Sequence, residues 1–175
     1  MLRMVFLMVA IAVSHLASAR SYTLEVSEAE LQQKLSAVMP MTRHHSILTI
    51  ELNDAMLNLC KDSNEISIFV HVKAFAAGQL QGTGRGRITG SLSYEPVQGA
   101  FFFHDPKISE MEIDKLQSQF APQVRQITQQ LISSTMALYP IYTLDDNDMQ
   151  QKLAKSVLQA VEVKNQRLLL TLNAF

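Results

Sequence analysis

Gln79-Leu-Gln-Gly-Thr-Gly-Arg-Gly-Arg-Ile-Thr-Gly-Ser-Leu-Ser-Tyr94 alternates from end to end, and its reading decides the fold. Leu80, Gly82, Gly84, Gly86, Ile88, Gly90, Leu92 and Tyr94 share one parity. Gln81, Thr83, Arg85, Arg87, Thr89, Ser91 and Ser93 share the other. Such a period of two makes a long strand with one wet face and one apolar or bare face. All six glycines of the chain fall between Gly78 and Gly99. Gly82, Gly84, Gly86 and Gly90 sit on the inward face, where they offer no side chain to pack. Something must approach the backbone there: a crossing helix, the sheet's own curvature, or a ligand in a groove.

Working outward, Glu65 to Phe75 reads as the preceding strand, with Ile66, Ile68, Val70, Val72 and Ala74 on one face. Ile47 to Cys60 is β-patterned, but its alternation slips by one residue near Asn53-Asp54, the mark of a bulge or turn. Lys61 to Asn64 is a turn. On the other side, Val97 to Ile113 reads as a strand broken at Asp105-Pro106, with Phe101-Phe102-Phe103 inside it. From Asp114 to Leu138 the period becomes helical. Ile113, Leu116, Phe120, Val124, Ile127, Leu131 and Leu138 form its stripe, and Pro122 either kinks the helix or marks its first turn.

The ends carry shorter elements. Tyr22 to Val26 is a strand. Ser27 and Glu30 form a capping box before a helix with Leu31, Leu35 and Val38, which Pro40 ends. Ile141 to Leu144 is a short strand. The acids from Asp145 to Asp148 precede a helix with Met149, Leu153 and Val157 as its buried stripe. Ala160 to Lys164 and Arg167 to Leu172 form a closing hairpin around Asn165-Gln166. The expected order is β-α-β-β-β-β-α-β-α-β-β. Strands mostly follow strands, so the class is α+β with a mainly antiparallel sheet.

The chain has 175 residues, 47% apolar and 18% charged, with a net charge of −1. It can bury a real core, and its charge gives no basic excess for nucleic acid. Arg3, the apolar run from Met4 to Val13 and Ala17-Ser18-Ala19 predict a secretory signal peptide over residues 1–19. An uncleaved anchor is the other reading of that run. A single domain is expected over residues 20–175. No other segment is long and apolar enough to cross a membrane as a helix. Cys60, the one cysteine, rules out an internal disulfide and reads as a small apolar residue.

Catalytic signatures are missing. Gly82-Thr-Gly-Arg-Gly86 lacks the Lys-Ser/Thr ending of a phosphate loop and lies within a strand. His44 and His45 point to opposite faces if extended, and His71 and His104 read as surface histidines. Neither a metal-binding histidine pair nor a nucleophile elbow occurs. Glu110 and Glu112 share a strand face, as a glycosidase carboxylate pair would, but nothing acidic stands opposite them. Arg85 and Arg87 read as a solvated face that could meet anionic headgroups or carboxylates. The chain is therefore expected to be no enzyme and to need no cofactor or metal.

Three stretches together carry a resemblance: Tyr22-Thr-Leu-Glu-Val-Ser-Glu-Ala-Glu-Leu-Gln-Gln-Lys-Leu35, Tyr139-Pro-Ile-Tyr-Thr-Leu144, and the segment from Lys152 to Leu172. They resemble the YceB-like family of Gram-negative envelope lipoproteins, a family of unknown function, over residues 22–173. The resemblance implies a TULIP-like fold, in which a strongly curved antiparallel sheet wraps a long helix. It also implies an apolar ligand in the periplasm, and it transfers no site residues. Family members carry a lipobox cysteine at the cleavage site, whereas Leu16-Ala-Ser-Ala-Arg20 has none. The expectation is a periplasmic protein that is exported but not lipid-anchored. It would bind a lipid or other apolar ligand between the long helix and the concave sheet. Phe120, Val124, Ile127 and Leu131 would line that site from the helix, and Val70, Val72, Ile88 and Leu92 from the sheet. Gly82, Gly84, Gly86 and Gly90 would be the close-approach positions. The alternative is an envelope protein-interaction module with a filled core, a protein partner and no ligand.

Overall fold

The computed structural model describes residues 21–60 and 63–173; the expected signal peptide lies outside them. The chain runs β1 (Ser21–Ser27), α1 (Glu28–Ala37), β2 (Met41–His45), β3 (Leu48–Leu59), β4 (Glu65–Ala76), β5 (Gln79–Glu95) and β6 (Ala100–Asp114). It continues with α2 (Ala121–Leu138), β7 (Tyr142–Thr143), α3 (Met149–Val157), β8 (Leu158–Lys164) and β9 (Arg167–Asn173). The class is α+β, with three helices and antiparallel strand pairing throughout among the described residues. The strands form two sheets. A six-stranded sheet has the order β2-β3-β4-β5-β6-β7, and a three-stranded one the order β1-β9-β8.

The inward parity of β4 and β5 is the one the alternation predicts. Ile66, Ile68, Val70, Val72, Ala74 and Ile88 are buried. Leu80 departs from it. A register shift after Ala74 pairs Leu80 with Phe75, whose parity is outward, and Leu80 is 55% exposed. The slip near Asn53 is a bulge, with the register shifting between Asn53 and Met56 and Asp54 at φ +47°. β6 is continuous, not broken. Its irregularity at Asp105 (φ +51°) is absorbed by register shifts against β5.

Four further expectations are corrected. Met41–His45 is a strand, the outermost of the larger sheet, adding one element to the expected order. The long helix starts at Ala121, not Asp114. Pro122 lies in its first turn, while Ile113 belongs to β6 and Leu116 to the connection. Met149 and Leu153 point outward at 79% and 56% exposure; Ala154 is the buried residue of α3. Finally, the one expected sheet is two: the closing hairpin β8–β9 forms as the sequence predicts and pairs with β1 in a separate three-stranded sheet.

Both long outer strands of the six-stranded sheet outrun their short partners, and helix side chains satisfy the exposed backbone. β2 covers β3 only from Leu48 to Leu52. Beyond it, Gln32 of α1 donates to the Ala55 carbonyl at 2.7 Å and accepts from the Leu57 N–H at 2.7 Å. Glu28 accepts from the Leu59 N–H at 2.9 Å. β7 covers β6 only at Ala100 and Phe101. Beyond it, Gln129 of α2 accepts from the Ile108 N–H at 3.1 Å and donates to the Pro106 carbonyl at 2.7 Å. Arg125 donates to the Ile108 carbonyl at 2.7 Å. A carboxamide offers one donor and one acceptor, as a strand partner would, and so blunts an edge open to foreign pairing. Gln129→Leu leaves a half-buried N–H and carbonyl without partners. It is expected to cost about 1–3 kcal/mol in urea unfolding, and Gln129→Glu, which keeps only the acceptor, about half of that.

The closing hairpin turns on Asn165 (φ +51°) and Gln166 (φ +58°), the left-handed pair of a two-residue turn. An L-residue is strained there. Gln166→Gly is expected to add about 0.5–1 kcal/mol and raise the melting temperature by about 2 °C.

Candidate functional site

The glycines of β5 show what approaches them. A β-carbon on Gly84 would lie 1.8 Å from the Glu112 carbonyl oxygen, and one on Gly82 would lie 2.4 Å from that of Asp114. At Gly90 it would meet the His104 carbonyl at 2.7 Å and the Phe103 ring at 2.8 Å. Gly86 differs: its nearest neighbours are methyls of Val70 and Val72 at 3.4 and 3.6 Å. So at Gly82, Gly84 and Gly90 the approaching group is the neighbouring strand β6, mainly its backbone.

The residues expected to line a groove form part of one packed cluster. Val124, Ile127 and Leu131 of α2 are buried together with Val70, Val72 and Ile88 of the sheet. Phe120 and Leu92 are half-buried at its border. Phe101 and Phe103 are also in this core, with the Phe101 ring tilted against those of Tyr94 and Tyr142.

An open apolar groove lies at one end of this cluster, where β6 hands over to α2. The chain leaves β6 through Lys115 (φ +61°), turns over residues 116–120 and enters α2 at Ala121. Met111, Ile113 and Leu116 form one wall; Ser118, Ala121 and Pro122 form the other, with Arg125 at the rim. The cavity holds about 400 Å³, within the range of small-ligand sites. Farther along the seam, past the Gln129 bridge, a second hollow of about 480 Å³ is lined by more polar residues, among them His104, Asp105, Lys107 and Ser133.

The first groove is hidden in the sequence because two of its wall residues, Ile113 and Leu116, mimic the helical period. Ile113 and Leu116 keep the spacing of the helical stripe, although they lie in β6 and in the connection. Of the two readings of Pro122, the first-turn one holds, and it places the helix start at Ala121.

The outward face of the sheet carries the charged residues. Register sets His71, Arg85 and Glu112 in one row, and Lys73, Thr83 and Asp114 in the next. With Asp54 they surround a polar cleft of about 490 Å³. His71 Nδ1 lies 3.1 Å from the Asp54 carboxylate. Glu51 beside them sits below the usual carboxylate range, held there by hydrogen bonds from Asn53 and then Lys73. Arg87 lies 3.4 Å from Glu110, donates to buried Ser67 and rests over the Phe69 ring at 5.7 Å. Each acid of the Glu110/Glu112 pair therefore stands opposite an arginine, in a cross-strand charge ladder. His44 contacts Thr49 at 2.8 Å, and Cys60 contacts Ser67 at 3.6 Å. Among the described residues no three of His, Cys, Asp and Glu converge as metal ligands, and no helix is long and apolar enough to cross a membrane.

A family model described as a protein of unknown function, DUF1439, matches residues 26–167, and the chain belongs to that family. No curated protein matches the chain.

Proposed function

We propose that this DUF1439 protein is a non-enzymatic periplasmic carrier of a lipid or similar apolar molecule. The ligand would lie in the groove between the end of β6 and the first turns of α2. The observation that carries the reading is that groove: about 400 Å³, walled by Met111, Ile113, Leu116, Ala121 and Pro122, with one cation, Arg125, at its rim. Mainly apolar walls, with Ser118 among them and one cation at the rim, suit an acyl chain ending in an anionic group.

We further infer that the larger sheet curls around α2 in the manner of TULIP-like domains, as the resemblance to YceB-like proteins implies. In support, α2 packs on β6 and also on β2 and β3, from the opposite end of the strand order. Arg43 of β2 donates to Ser134 of α2 at 3.3 Å. The periplasmic setting rests on the expected signal peptide.

The experiment is native mass spectrometry of the protein purified from its own cell envelope, paired with titration of a fluorescent fatty acid. A bound mass of lipid size and saturable probe binding are expected. Ligand-free protein that also excludes the probe contradicts the reading. The packed core favours a second reading, an envelope protein-interaction module without ligand, and that result would leave it standing.

A further inference from the structure

One ridge of α2 follows the seam with β6 along the length of the helix. Ala121, Arg125, Gln129, Ser133 and Ala137 succeed one another at intervals of four, the spacing of a side-chain ridge. Ala121 and Arg125 border the apolar groove of about 400 Å³, and Gln129, Ser133 and Ala137 border the more polar hollow of about 480 Å³. β6 runs past them in matching order. Met111 and Ile113 wall the groove, Ile108 and Pro106 hold the Arg125 and Gln129 bridges, and Asp105 and His104 lie at the hollow. The two cavities are therefore successive compartments of one seam. The second rounds the edge of β6, since it reaches Phe102 and Ser93, a cross-strand pair of the outward face.

Arg125 stands where the compartments meet, and it is the only charged residue of α2. One of its terminal nitrogens donates to the Ile108 carbonyl at 2.7 Å, which fixes the guanidinium without neutralising it. A guanidinium carries five N–H donors, so others remain for an oxyanion. Among the described residues, neither Arg125 nor Lys107 takes part in an ion pair. Of the acids of β6, Glu110, Glu112 and Asp114 stand in the cross-strand rows of Arg87, Arg85 and Lys73 on the outward face. The fourth, Asp105, lies at the second hollow with Lys107 and Ser133.

The seam thus presents an apolar compartment, a fixed cation and a polar compartment, in that order. A fatty acid carries its charge at its end and would stop at Arg125. A phosphodiester lipid carries its charge inside the headgroup, with a polar substituent continuing past it. We propose that the seam binds a lipid of this second kind. Its acyl chain lies in the groove and its phosphate at Arg125. The hydroxylated remainder of the headgroup reaches the hollow at Gln129, one helical turn or about 6 Å farther on, where Asp105, Lys107 and Ser133 offer both donors and acceptors. The inference deepens the carrier reading and rests on it.

Isothermal titration tests it with three single-chain ligands of equal chain length, each below its micelle concentration: lysophosphatidylglycerol, the alkyl phosphate monoester and the fatty acid. Lysophosphatidylglycerol is expected to bind about tenfold tighter than either of the others. Ser133→Trp, at an exposed position bordering the second hollow, should erase that advantage. Lys107→Glu, also exposed, should erase it too, with the circular dichroism of both variants unchanged. A monoester or fatty acid that binds as tightly as lysophosphatidylglycerol overturns the phosphodiester proposal and leaves the carrier reading standing. So does an advantage that survives in either folded variant. Failure of all three ligands to bind overturns both.

Discussion

Gly84→Ala is expected to cost about 3 kcal/mol or more of folding stability, since Gly84 has the tightest approach of any of the six glycines. The added carbon would lie 1.8 Å from the Glu112 carbonyl oxygen, 2.6 Å from the Ile113 α-carbon and 2.7 Å from the Glu112 carbonyl carbon. All three are backbone atoms, so no side chain can swing aside. The β5–β6 pair would have to open where Gly84 faces Ile113. That pair also sets the path of the chain into α2, so groove binding should fall along with stability. Gly86→Ala is the internal control. Its new methyl would meet Val70 and Val72 methyls and the Glu110 carbonyl oxygen, all at ordinary contact distance, and a change within about 1 kcal/mol is expected. Denaturant unfolding of the two variants side by side makes the check. Equal tolerance at both positions would mean that β6 does not lie over β5 as described.

The second large effect concerns the groove itself. Ala121 is the first residue of α2, exposed to solvent, and forms part of the groove wall. Ala121→Trp should fill the groove from the outside without entering the core. The helix-propensity change at one exposed position is about 0.5 kcal/mol, so stability should hold nearly constant. Fatty-acid probe affinity should fall by about tenfold or more, equivalent to about 1.4 kcal/mol. Arg125→Gln should weaken probes with a free carboxylate more than their methyl esters, because only the former pair with the guanidinium. A tryptophan variant that binds the probe as before would move the site elsewhere, the more polar hollow beyond Gln129 being the next place to look.

Much of this fold is legible because alternation and capping are local signals. The parity of Ile66 to Ala74 comes straight from residue order, and so does the bulge after Asn53. The Ser27–Glu30 capping box does too, and its bonds are formed at 2.8 and 3.3 Å. What sequence hid depends on distant partners. Met41–His45 has one buried apolar residue, Met41, because an outermost strand needs only one packed face. Ile113 and Leu116 keep helical spacing by coincidence, so the stripe ran past the true helix start. Met149 and Leu153 look like a core stripe, but α3 turns Ala154 inward and leaves them in solvent. The division into two sheets turns on β9 pairing with β1 as well as with its hairpin partner β8, and the β1–β9 pairing is one that no local pattern encodes.

The site was half legible. The glycines did mark a place of close approach, and β6 is what approaches at three of the four. The groove beside them is composed of residues from a strand end, a connection and a helix start, and no single periodicity spans those three. Gln32 and Gln129 show the same limit. Each sits on a helix as an ordinary polar residue, and its task of completing a strand edge is visible only when β3 or β6 lies beside it.

Photo-crosslinking with a diazirine-bearing fatty acid, followed by peptide mapping, tests the carrier reading most directly. Saturable labelling is predicted on Met111, Ile113, Leu116, Ala121 and Pro122, and it should vanish in Ala121→Trp. Labelling that is absent, does not saturate, or falls outside residues 111–125 would contradict it.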